Sequence, residues 1–278
     1  MLEVLKNNRK RILIVLICFL LIVSTITTII INCSERKHFL SAGDYIEKNV
    51  VESVNFCADK NFFQIYPDNT IECINEIVEN KMDSVLLDTY LTKDSKAVCC
   101  STPDTEDLIG MDGTVKDYTY FELIKYNLIS SESDEPLVLS LASDVIKHCI
   151  ENAVTPVIFP HDTDNNDDLF SVFEKHQDKC RIVVVSENYD FLLEINKKYP
   201  SVNIWYKVDS LSDEIVDSLN LLNNFEVIFD AKNYDENMIE KLNERNYPFG
   251  CYNLNKKSQL KKYCALSISS IITSEFVK

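Results

Sequence analysis

The sequence predicts an α/β protein, a (β/α)8 or TIM barrel preceded by one membrane-spanning helix, and three observations carry that expectation. Eight short β-rich runs alternate with helical stretches from Val51 to the C-terminus. A run of twenty residues without a charge, Ile12 to Ile31, stands ahead of them. No GxGxxG or GxxxxGK[ST] follows any β-rich run, which removes the two commonest nucleotide-binding readings.

The apolar run comes first in the chain. At ~1.5 Å per residue a helix over Ile12–Ile31 is ~30 Å long, the thickness of a bilayer's hydrocarbon core. Lys6, Arg9, Lys10 and Arg11 lie immediately before it, which keeps the N-terminus cytoplasmic and puts the rest on the other side. A cleaved signal would need a shorter apolar region and small residues where Ile29–Ile31 stand, so an uncleaved anchor is expected. The organisation read from this is a tail over 1–11, a signal anchor over 12–32, a polar stalk over 33–50 and a barrel over 51–278.

The expected strands are Val51–Cys57, Ser84–Asp88, Pro156–Phe159, Ile182–Val185, Asn203–Tyr206, Glu226–Phe229, Phe249–Tyr252 and Ile268–Ile272. Between them, helical spacing of apolar residues marks Thr70–Asn80, Ser140–Asn152, Leu169–His176, Phe191–Lys198, Ser212–Leu222, Glu236–Asn246 and Ser258–Tyr263. Asn69 or Thr70 would cap the first helix and Ser212 the fifth. Such alternation demands parallel strands joined by crossovers, and eight units in about 230 residues suit a closed barrel. The irregular stretch from Ala97 to Glu135 is the one long insertion, placed where active-site loops of a barrel belong.

Charge and cysteine usage bound the function classes. Net charge is −16, and beyond residue 11 there are 24 basic against 43 acidic residues. A surface that acidic repels phosphate backbones, so general nucleic-acid binding is excluded. The ten cysteines include no CxxC pair, which argues against a metal cluster. Cys33, Cys57, Cys73, Cys149, Cys180, Cys251 and Cys264 could pair in an oxidising compartment; the alternative is that most are small apolar core residues.

Several segments, in order, resemble the glycerophosphodiester phosphodiesterase family. Pro67-Asp68-Asn69-Thr70 is similar to the family's P-E-N-T, and Asp83 to Asp88 to its A-D-x-I-E-x-D strand. Gly113 to Leu123 tracks G-x-V-x-D-x-T-x-x-E-L; Arg245 to Asn255 resembles G-x-x-V-x-x-W-T-V-N, and Ile271 to Ser274 resembles I-I-T-D. The resemblance covers about Val51 to Phe276 and implies a barrel of the phospholipase C-like phosphodiesterase type. It also implies a reaction run by two histidines and a Mg²⁺ or Ca²⁺ held by carboxylates.

The residues for that reaction are largely missing. Cys57-Ala58-Asp59 stands where the first family histidine would be, and Ser101-Thr102 where the second would be. Leu86 replaces the glutamate of the metal pair, which leaves Asp88 as a remnant. No histidine lies between His38 and His148. One carboxylate cannot hold a hard cation that wants several oxygen ligands. His161, Asp162 and Asp164, in the acidic run after the third strand, are the candidate ligands of a relocated metal site. The competing reading is a solvated acidic loop leading into the next helix. His148 and His176 are expected to be structural or surface residues, and Trp205 and Tyr252 to pack in or near the barrel. The expectation is therefore a membrane-anchored, catalytically silent barrel with no cofactor. The alternative is a metal-dependent phosphoric diester hydrolase with a rearranged site, using Mg²⁺ or Ca²⁺.

Overall fold

A computed structural model of the chain describes residues 54–60, 62, 65–129, 136–164, 167–176, 182–254, 263 and 266–274. The predicted tail, the span Ile12–Ile31, the stalk, Cys33, Cys180, Cys264 and all of the helix Ser258–Tyr263 except Tyr263 lie outside them. Among the described residues, no helix is long and apolar enough to cross a membrane.

Eight parallel strands close on themselves. They are β1 (Asn55–Ala58), β2 (Ser84–Leu91), β5 (Thr155–Pro160), β6 (Val183–Ser186), β7 (Asn203–Val208), β8 (Phe225–Asp230), β9 (Phe249–Tyr252) and β10 (Ser270–Thr273). Each pairs in parallel with the next, and the seam closes where β1 pairs with both β10 and β2. All eight expected strands are present, displaced by a few residues at most. Their sequences are nearly continuous apolar runs because one face meets the barrel interior and the other the helices. Cys57, Leu86, Val157, Val183, Val185, Trp205, Ile228, Tyr252 and Ile272 fill that interior, so Trp205 and Tyr252 pack where the sequence placed them.

Outside the strands lie α1 (Ile71–Glu79), α4 (Ala142–Glu151), α5 (Asp167–His176), α6 (Tyr189–Lys198), α7 (Asp213–Ser218) and α8 (Glu236–Glu244). The caps explain where they start. Thr70 accepts a hydrogen bond from the Cys73 amide at 3.2 Å, and Ser212 accepts one from Ile215 at 3.3 Å. Each satisfies one of the amides a helix N-terminus leaves without an internal partner.

The insertion differs from the irregular stretch the sequence suggested. β3 (Ala97–Cys99) runs antiparallel to β2, and β4 (Ser140–Leu141) pairs antiparallel with β3. The expected helix from Ser140 therefore begins only at Ala142, because Ser140 and Leu141 are drawn into the sheet. Two short helices, α2 (Thr105–Ile109) and α3 (Tyr120–Leu123), fold over the hairpin. Val98, Leu108, Val115, Leu123 and Leu139 give them a small core of their own. Among the described residues Cys57, Cys73, Cys99, Cys100, Cys149 and Cys251 are buried thiols outside any disulfide, and they pack as small apolar groups.

Candidate functional site

Side chains alternate between the two faces of a strand, so the residues that follow the interior layer point into the barrel's C-terminal mouth. Beyond Cys57, Leu86, Val157, Val185, Trp205 and Ile228, that alternation brings Asp59, Asp88, His161, Glu187, Lys207 and Asp230 to one end.

Asp88 is the centre of the group. It sits on β2 opposite Phe159 of β5, and its side chain is only 1% exposed. A buried carboxylate needs compensation. Here His161, just past β5, approaches Oδ1 through Nε2 at 2.6 Å, and the Lys60 ammonium, just past β1, lies 3.1 Å from Oδ2. Lys60 also donates to the Ser101 carbonyl at 2.9 Å. The imidazole is held flat on Tyr90, with ring centroids 4.4 Å apart and planes 3° apart, while Phe159 lies 4.6 Å away on a tilt. With Asp88 as the acceptor, Nε2 carries the proton of this hydrogen bond. Such a dyad can remove a proton from a bound group.

The rest of the mouth is closely paired. Asp59 caps its own turn by accepting from the Lys60 amide at 2.7 Å. Burial, and then the charge on Asp88, raise the Asp59 pKa, against the Lys60 amide and the Lys60 and Lys207 ammonium groups, which lower it. Lys207 is ion-paired with Glu187, and its ammonium stands 4.6 Å from the Tyr252 ring centre and 5.6 Å from that of Phe159. The Tyr252 hydroxyl donates to Asp209 at 2.9 Å; burial first, then this bond and the charges around it, push its pKa up. Asn253 donates to Asp230 at 2.8 Å.

The candidate positions separate into two groups. Asp88 and His161 are in direct contact, with Asp59 nearby and the Ser101 backbone bonded to the same lysine. Cys57 is fully buried in the barrel interior, and burial drives its thiol pKa far up. Asp162 faces elsewhere: it accepts from the Leu91 amide at 2.9 Å and pairs with Lys116 at 3.1 Å. Asp164 is exposed. Asp168 accepts from the Ala97 amide at 3.0 Å and pairs with Lys96 at 3.3 Å. The acidic run therefore clips the start of α5 to the β2–β3 hairpin. Among the described residues no three His, Cys, Asp or Glu side chains converge in a way that could hold a metal ion. His148 lies on the outer surface, 2.8 Å from Asn75. Lys60 and Lys207 stand out only in the folded chain, since the closed barrel is what brings them to Asp88 and Tyr252.

A glycerophosphoryl diester phosphodiesterase family model matches residues 62–277. The chain belongs to that family. Solved structures agree on the fold. A phosphodiesterase from Oleispira antarctica, described in complex with the product sn-glycerol-3-phosphate, superposes with a TM-score of 0.71 at 14% identity, over 79% of this chain and 92% of that one. A glycerophosphodiester phosphodiesterase from Thermotoga maritima gives 0.66 at 19% identity, over 80% and 94%. One from Parabacteroides distasonis gives 0.64 at 15%, over 80% and 94%. No curated protein matches by sequence.

Among the described residues, the side chains around Asp88 do not fit the cation that the family resemblance implies. Leu86 packs in the barrel interior; Asp88 Oδ1 is hydrogen-bonded to His161, and Oδ2 lies 3.1 Å from the Lys60 ammonium. One carboxylate and one carbonyl fall short of the six to eight oxygens Ca²⁺ takes, at about 2.3–2.6 Å each.

Proposed function

We propose that this protein is a membrane-anchored member of the glycerophosphoryl diester phosphodiesterase family that does not carry out metal-dependent phosphodiester hydrolysis. The observation that carries the reading is the state of Asp88. The remaining carboxylate of the metal pair is spent on Lys60 and His161, at 3.1 and 2.6 Å. Ser101 stands at one family histidine position and Cys57-Ala58-Asp59 about the other, so neither family histidine is there to protonate the leaving alkoxide. Loss of one such group costs about 10²–10⁴ in rate. The anchor is Ile12–Ile31, with the N-terminus cytoplasmic and the barrel on the far side; support comes from the uncharged run and the four basic residues before it. The barrel then serves as a displayed binding or scaffold module.

The deciding experiment is release of glycerol 3-phosphate from glycerophosphocholine by the detergent-solubilised chain, with and without Mg²⁺ or Ca²⁺. No turnover from a folded, monodisperse sample is expected. Turnover that EDTA abolishes would overturn the reading. A second reading rests on the His161–Asp88 contact: a hydrolase with a rearranged site whose base is His161. That reading predicts activity lost in both His161→Ala and Asp88→Ala; turnover unchanged by both removes it.

A further inference from the structure

We infer that the outer face of the insertion is a docking surface for a basic amphipathic protein segment. The inference builds on the reading of the barrel as a binding module, and gives that module a face and a partner of stated chemistry. Among the described residues, the exposed large apolar side chains are Phe121, Tyr126, Ile129, Val138 and Leu221. Leu221 lies just after α7, whereas the other four all belong to the insertion between β3 and β4. A single exposed apolar residue is ordinary; four on one small unit call for a partner. Backbone bonds gather them. The Tyr126 amide donates at 3.2 Å to the carbonyl of Leu123, the last residue of the helix that carries Phe121. The Leu128 amide donates to the Leu137 carbonyl at 2.7 Å, which brings the segments of Ile129 and Val138 together. Leu128, Leu137 and Leu139 fill the insertion's own core, and Ile129 and Val138 beside them are turned outward.

Charge selects the occupant. From Asp104 to Val138 there are nine acidic residues against two lysines. Lys116 is paired with Asp162, and Lys125 lies over the Phe121 ring at 4.6 Å from its centre. The Ile129 amide donates to the Leu108 carbonyl at 2.8 Å, which draws in α2, whose first turn exposes Glu106 and Asp107. The apolar side chains therefore sit in an acidic surround. A second copy of this chain carries the same sign of charge, and so does an anionic bilayer, so both are repelled. A segment with an apolar stripe flanked by Lys or Arg buries the four side chains and neutralises the acids around them. Lys125 already shows the Phe121 ring taking an ammonium on its face.

The test places the full chain in phosphatidylcholine nanodiscs and titrates it against a fluorescent amphipathic Lys/Leu peptide and its Glu/Leu counterpart, with empty nanodiscs subtracted. The Lys/Leu peptide is expected to bind and the Glu/Leu peptide not to. Affinity for the first should fall about tenfold or more in Phe121→Ser/Ile129→Ser. It should also fall in Glu106→Gln/Asp107→Asn, and when salt is raised from about 0.05 to 0.5 M. Leu221→Ser should bind as the wild type does. All five side chains are exposed, so each variant is expected to keep the wild-type unfolding midpoint. No binding of the Lys/Leu peptide by the wild type, or equal binding of both peptides, overturns the inference. Undiminished binding in either double variant overturns it as well, so the test survives if one of the two fails to fold. A wild-type dimer in sedimentation that Phe121→Ser/Ile129→Ser abolishes also overturns it, because a second copy is then the occupant. Failure here leaves the absence of metal-dependent turnover untouched, whereas turnover in the glycerophosphocholine assay defeats the proposed function and not this surface.

Discussion

Lys60, Asp88 and His161 make an asymmetric arrangement, because only the aspartate is buried. Removing Lys60 leaves a carboxylate that is 1% exposed with a single hydrogen-bond donor; removing Asp88 leaves two groups that are 35% and 32% exposed and can rehydrate. Lys60→Met is therefore expected to cost about 3 kcal/mol, on the scale of breaking one side of a buried ion pair. Asp88→Ala is expected to cost about 1–2 kcal/mol, on the scale of lost hydrogen bonds. Urea unfolding of both variants at neutral pH measures the order, and a larger loss for Asp88→Ala would contradict it. Asp59 tests the same mouth through pH. Its pKa is raised by burial and by Asp88, so the folded state holds the Asp59 proton more tightly than the unfolded chain does. The stability this contributes is full below about pH 4, where the unfolded carboxyl is also protonated, and is lost as pH rises through the raised value. Asp59→Asn should unfold at a higher temperature than wild type at pH 7, with the gap closing as the pH falls below about 4. A gap that persisted at acid pH would assign the effect to packing instead.

At the scale of elements, the loop between β5 and α5 is a set of clips. Asp162 in the loop holds the Leu91 amide and Asp168 in the first turn of α5 holds the Ala97 amide, so both ends of the β2–β3 turn are tied down. Asp162→Ala and Asp168→Ala are each expected to lose about 1–2 kcal/mol by leaving a backbone amide without its acceptor. Asp164→Ala, at an exposed position, should stay within about 0.5 kcal/mol of wild type. Equal effects at all three positions would contradict the clip. This loop also shows what a linear reading reaches. Strands such as Ile182–Val185 and Phe249–Tyr252 are legible because burial on both faces demands an unbroken apolar run. Helix starts at Thr70 and Ser212 are legible because capping is local. Asp88 stands out by its place in a motif, and His161 by its company of aspartates. That the two touch, while Asp162 turns away to a hairpin amide, depends on β2 and β5 being neighbours, which no local pattern encodes. Lys60 carries no sequence signal at all: a lysine after a short strand looks like a solvated turn until Asp88, 28 positions on, is brought beside it. The β3–β4 pairing is equally hidden, since Ser140-Leu141 reads as the start of the helix that follows.

For the whole molecule, closure of the barrel puts its tightest demand on the end opposite the mouth. Gly250 of β9 lies between β8 and β10, next to the buried pair in which Ser270 donates to Glu226 at 2.9 Å. A Cβ on Gly250 would lie 2.6 Å from Ile228 Cδ1, 2.6 Å from the Ser270 carbonyl oxygen and 2.7 Å from Glu226 Oε1. Ile228 is interior packing and the Ser270 carbonyl is backbone, so neither can swing aside; the strands themselves must part. Gly250→Ala should therefore destabilise the barrel by about 1–3 kcal/mol through overpacking. Because the strands form a ring, that loss should appear as a lower midpoint of a single cooperative transition. Gly110 supplies the control. It ends α2 at φ +73°, and a Cβ there would meet nothing within 4 Å. Gly110→Ala therefore meets only backbone strain, of about 1–2 kcal/mol. That strain lies in the insertion, which has a small core of its own. Hydrogen exchange separates the two variants: Gly250→Ala should raise exchange of amides in β1, β8, β9 and β10 together, and Gly110→Ala that of the insertion alone. If Gly250→Ala loosened only β9, the ring would not be acting as one unit.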